Sequence, residues 1–132
     1  MLKLTRKTEY ALIALRHLRF VGADSIVSTK QIAAQYSIPQ PLLAKVLQEL
    51  SRQDFIEPIQ GPHGGYRLKA KLDSISMTQF FEMMEGPLGI MDCYFDSNCE
   101  LVNTCNIRSP IQRLNESMRD MFDNMTVNDV TY

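Results

Sequence analysis

A chain of 132 residues, 45% hydrophobic and 22% charged, makes one domain or one domain with an appendage, and no apolar run approaches the roughly 20 residues of a membrane span. The opening MLKLTRKTEYALIALRHL has neither an uninterrupted apolar stretch nor a small-residue cleavage site, so no secretory signal is expected and a reducing cytoplasm is. The net charge of −1 averages unlike halves: residues 1–71 carry 11 Lys and Arg against 5 Asp and Glu, residues 72–132 carry 3 against 10.

A basic half joined to an acidic one points to a polyanion partner for the basic half. Its first element is a helix over Thr8–Phe20, where Ala11, Ala14, Leu15 and Leu18 recur at three- and four-residue spacing. After the turn-like GADS, Ser28 or Thr29 can cap a short helix carrying Ile32 and Ala33. The pattern breaks at Ser37-Ile38-Pro39, and a second helix runs from about Gln40 to Gln53. Two helices with so short a break are a helix-turn-helix candidate. On the second, Leu43, Val46, Leu47 and Leu50 form the core stripe. Pro41, Lys45, Gln48 and Arg52 fall on the opposite side. Amides and cations there can bond base edges and phosphates in a major groove, although an ordinary solvated helix face would look similar.

Two short strands, Phe55–Ile59 and Tyr66–Leu68, flank the turn-rich QGPHGG. A hairpin directly after a helix-turn-helix makes a winged helix. The fold class is therefore mainly α with a small β-hairpin wing. ISMTQFFEMMEG reads as a short helix whose Phe80, Phe81, Met83 and Met84 cover the core. From Asn106, a stripe of Ile107, Ile111, Leu114, Met118, Met121, Phe122 and Met125 advances by threes and fours for about five turns. So long a stripe needs a partner, either the first helix or the same helix of a second chain. The expected division is 1–72 for the winged helix-turn-helix and 73–132 for the cysteine loop and dimerisation helix.

All three cysteines lie in CYFDSNCELVNTC, at Cys93, Cys99 and Cys105. An odd number of clustered thiols in a polar stretch fits metal binding or redox sensing better than a disulfide framework. Thiolates are soft ligands suited to iron–sulfur clusters, and the tight cysteine gap that usually opens a structural zinc site is missing. Free cysteines, a thiol switch and zinc remain open on spacing alone.

The opening KLTRKTEYALIAL, the helix pair STKQIAAQYSIPQPLLAKVLQEL, the wing GPHGGYRL and C-x5-C-x5-C followed by NIRSPI together resemble the small dimeric winged-helix regulators of the Rrf type, IscR- and NsrR-like, along nearly the whole chain. The resemblance implies a homodimeric DNA-binding transcription regulator, a repressor or activator rather than an enzyme. It also implies a 2Fe–2S or 4Fe–4S cluster on Cys93, Cys99 and Cys105 that senses iron, redox state or nitric oxide. IscR-like members carry a histidine three residues after the last cysteine, where this chain has Arg108. NsrR-like members borrow an N-terminal carboxylate from the partner subunit, a position matched here by Glu9. The expected operator is double-stranded DNA, with Gln40, Lys45 and Gln48 as the expected base readers, beside Pro41. Lys30, Arg52, His63 and Arg67 are expected on the backbone. Relatives often have an arginine where this chain has Gln60, and some a glutamate where it has Ala44, so a different operator is expected. The alternative keeps the fold and drops the cluster, with the cysteines as a thiol switch or a protein partner as the signal. A redox enzyme or cluster carrier is the remaining reading, and no substrate pocket or catalytic set is visible for it.

Overall fold

The structure, a computed structural model, describes residues 3–89, 104 and 106–131. Helix α1 (Arg6–Val21) starts where the Thr5 side chain accepts the Thr8 amide, supplying one of the partners a helix N-terminus lacks. Ala11 and Ala14 are fully buried, and such small side chains let α1 pack closely on the third helix. Helix α2 (Thr29–Tyr36) begins with a complete capping box, the Ser28 hydroxyl accepting the Gln31 amide while the Gln31 side chain accepts that of Ser28. It stops at Ser37, whose left-handed backbone (φ 55°) ends the helix. Ile38 is buried in the turn. Helix α3 (Gln40–Arg52) follows, with Pro41 in its first turn, where a missing N–H costs nothing.

The expected core stripe is the observed one: Leu43, Val46, Leu47 and Leu50 are buried against α1 and α2. Strands β1 (Ile56–Ile59) and β2 (Gly65–Leu68) pair antiparallel with Ile56 opposite Leu68 and Ile59 opposite Gly65. Val27 adds a short third rung, exchanging backbone hydrogen bonds of 2.9 and 2.8 Å with Tyr66. The turn end of the hairpin is thus tied to the start of α2. Two glycines make this geometry possible. A Cβ on Gly64 would lie 2.2 Å from the Ile59 carbonyl oxygen, and one on Gly65 would lie 2.4 Å from that of Val27. The chain is a winged helix, mostly helical with one two-stranded wing.

A 3-10 turn (Leu72–Ser74) leads to α4 (Met77–Glu85), which is opened by a second capping box, Ser76 with Gln79. Phe80, Phe81 and Met84 are buried as expected, and one apolar core runs from α1 through α3 to α4 and Val127. Helix α5 (Arg108–Asp123) is shorter than the apolar stripe suggests. Its partner within the chain is α4: Phe81 and Phe122 meet edge-on at 5.1 Å, and Arg119 pairs with Glu82 at 2.7 Å. The first helix instead receives α6 (Val127–Thr131), an element the sequence pattern does not reveal. Five residues are too few to show a period, and α6 is held by tertiary contacts: Val127 is fully buried, and residues 75–77 exchange backbone bonds with 125–127. No described helix is long and apolar enough to cross a membrane.

Candidate nucleic-acid interface

Packing four leucine and valine side chains of α3 inward leaves its other face outward. Gln40, Pro41, Lys45, Gln48 and Arg52 are all exposed, with Ala44 half-buried between them. The helix therefore presents amides and cations on a rigid element whose buried stripe fixes its rotation. Arg52 pairs with Glu49 at 2.8 Å. Among the described residues, Lys45 and Lys30 have no ion-pair partner. Lys30 is exposed on α2, and His63 is exposed at the tip of the wing. Arg67 lies on β2, and its Nε donates to the Glu57 carboxylate across the hairpin.

Beside α3 lies a groove of about 450 Å³ whose second wall is the first turn of α1. Arg6, Lys7 and Tyr10 line it from α1; Lys45, Gln48 and Arg52 line it from α3, with Glu49 as its carboxylate. Arg6 and Lys7 are absent from the residues expected to read or hold DNA. Their signal was in the sequence, as the basic opening KLTRKTEY, but adjacency to α3 is a tertiary fact that no spacing encodes.

Glu9 also sits in the first turn of α1, where its carboxylate accepts from Arg6 at 2.9 Å and remains 38% exposed. The start of α1 is tied to the end of α4, the Thr5 amide donating to Glu85 at 2.9 Å. His17 is buried and shares a 2.7 Å hydrogen bond between its Nδ1 and the Tyr36 hydroxyl. Cys93, Cys99 and Cys105 lie outside the described residues. Their segment joins α4 to α5, and near its start the Leu88 carbonyl accepts from Arg119 at 3.0 Å.

The α5 stripe divides. Met118, Phe122 and Met125 pack against the chain's own core, and Ile111 is half-buried. Ile107, Leu114 and Met121 are 50%, 57% and 53% exposed, at intervals of seven residues. That is the spacing of one seam of a coiled coil.

A protein-family model described as Rrf2, iron-dependent transcriptional regulator, matches residues 4–132. The HTH-type transcriptional regulator NsrR of Bacillus licheniformis is 28% identical over 131 residues, covering 98% of this chain and 92% of that protein. The protein of the same description from Geobacillus kaustophilus is 30% identical, covering 98% and 89%. Among solved structures, that of CymR (YrzC), the global cysteine regulator of B. subtilis, superposes with a TM-score of 0.77 at 23% identity, over 99% of this chain and 97% of the other.

Proposed function

The chain belongs to the Rrf2 family of iron-dependent transcriptional regulators, DNA-binding proteins rather than enzymes, and we propose that it works as a homodimer whose grip on a two-fold operator is set by an iron–sulfur cluster. The observation that carries this reading is the union of an outward amide-and-cation face on α3 with three evenly spaced thiols in the segment joining α4 to α5. The division of labour follows the chain: residues 1–72 read DNA, and residues 73–132 hold the cluster and pair the subunits.

In this reading α3 enters the major groove. Lys45, Gln48 and Gln40 meet base edges beside Pro41, and Lys30, Arg52, Arg67 and the wing residue His63 meet phosphates. Ile107, Leu114 and Met121 form the seam with the second subunit, with Ile111 at its edge. Met118, Phe122 and Met125 fasten α5 to its own core. Cys93, Cys99 and Cys105 hold the cluster, and their chemistry fits it: three soft thiolates with gaps wide enough to surround more than one ion. Glu9, partly exposed and paired among the described residues with an exposed arginine, is the proposed fourth ligand, supplied to the partner subunit's cluster. A cluster supplies iron–thiolate bonds that nitric oxide, oxygen or iron scarcity can break.

The chain's own residues carry the consequence. Anchoring the segment 93–105 constrains the end of α4 and the start of α5, whose packing Phe81, Phe122, Glu82 and Arg119 set. The α5 seam then fixes the separation of two α3 helices, and half-sites about 34 Å apart accept a narrow range of separations. The contending reading keeps the regulator and uses the thiols as a redox switch or answers to a protein partner. Likeness in fold to a cysteine regulator accommodates it. Anaerobic purification followed by an absorption spectrum and iron and sulfide assays separates the two. Visible bands with matched iron and sulfide are expected; a colourless, iron-free protein that binds DNA tightly would give the thiol or partner reading its case.

A further inference from the structure

We infer that the first turn of α1 is a second DNA-binding element, with Arg6 and Lys7 taking phosphates of the strand that runs beside α3. The inference rests on the duplex-binding reading above and extends it to residues outside the helix-turn-helix and the wing.

The groove between α1 and α3 carries cations on both walls, Arg6 and Lys7 facing Lys45 and Arg52 across about 450 Å³. One carboxylate of the lining, Glu49, is engaged with Arg52 at 2.8 Å. The remaining polar lining is Gln48 and Tyr10, both able to donate to a phosphate oxygen. Leu42 and Val46 complete the lining, and cations on both walls of an open trough suit a chain of phosphates. Because α3 lines the same trough, a duplex held by Lys45 and Gln48 would bring its backbone past α1.

Arg6 has a fork geometry matched to phosphate. Its side chain is 79% exposed, and its partner is Glu9. An exposed pair of this kind is weak and screened, so a phosphate can displace the carboxylate. Lys7 is exposed and has no ion-pair partner among the described residues. Glu9 therefore competes weakly with DNA for Arg6, and removing its carboxylate leaves the guanidinium to phosphate alone.

Phosphate contacts carry no sequence information, so a random-sequence duplex serves as the probe and the operator need not be known. Fluorescence anisotropy over a range of salt would compare the full chain with Arg6→Gln, Lys7→Gln, the double variant and Arg52→Gln. Circular dichroism would verify the fold. Each α1 substitution is expected to weaken binding roughly three- to eightfold at 0.1 M salt and to lower the salt slope by about 1. With the three cysteines replaced by serine, which removes any ligand role of Glu9, Glu9→Gln is expected to tighten binding about two- to threefold through the freed charge. That gain should vanish when Arg6→Gln is added. If the double variant keeps both affinity and slope while Arg52→Gln loses them, the α1 element is refuted and duplex binding by α3 stands. If the unsubstituted chain shows no salt-dependent duplex binding, both fall together.

Discussion

Lys45 is the residue on which operator reading depends most, because it is exposed at the middle of a face that the buried leucines of α3 hold in place. Lys45→Ala is expected to cost about 1–3 kcal/mol of operator binding if the lysine meets a base edge. Stability should change by less than about 0.5 kcal/mol, since the side chain is exposed and makes no ion pair among the described residues. Titration of the operator against a scrambled duplex checks whether discrimination is lost. Gly64 is the reverse case. Its Cβ would collide with the Ile59 carbonyl, so Gly64→Ala must move the wing backbone and is expected to cost about 1–3 kcal/mol in urea unfolding. Glu9 tests the fourth-ligand assignment. Glu9→Ala should alter the absorption or circular-dichroism bands of the anaerobic protein, and a spectrum identical to that of the unsubstituted chain would remove it from the site.

At the scale of elements, α5 separates two kinds of apolar residue that one stripe in the sequence does not distinguish. Phe122 is half-buried against Phe81, and Phe122→Ala is expected to destabilise each chain by about 2–3 kcal/mol. Leu114 is exposed within one chain, so Leu114→Asp should leave the fold intact and break the dimer seam. Sedimentation velocity should then show monomers with unchanged far-ultraviolet circular dichroism; a persistent dimer would move the interface elsewhere. Helices α1 to α4, the turn and the wing were legible because each carries its own local cause: the Ser28 cap, the Ser37 break, the leucine stripe of α3, the glycines of the hairpin. The pairing of α5 with α4 and the docking of α6 on α1 were not, because they depend on which faces meet after the chain has folded. Periodicity states that α5 needs a partner without saying which.

Over the whole molecule, the charge asymmetry of the chain becomes spatial. Four of the eleven basic residues of the first half, Arg6, Lys7, Lys45 and Arg52, gather on α1 and α3 around one groove, while the second half supplies α4, α5 and the thiol segment between them. The outward face of α3 was legible from helical phase, as was the cysteine trio from spacing. The groove was not, since Arg6 and Lys7 lie almost forty residues from Lys45 in sequence. Two proposed roles converge on one helical turn, where Glu9 and Arg6 are paired at 2.9 Å: a ligand for sulfur-bound iron and a contact for phosphate. The measurement that bears most directly on the sensor is operator affinity, determined without oxygen, for the full chain and for Cys93→Ser/Cys99→Ser/Cys105→Ser, each before and after nitric oxide and iron chelation. The full chain should change affinity about 5- to 150-fold on either treatment, and the triple variant should not respond. Equal affinities for both proteins under every condition would mean that the thiols do not govern DNA binding.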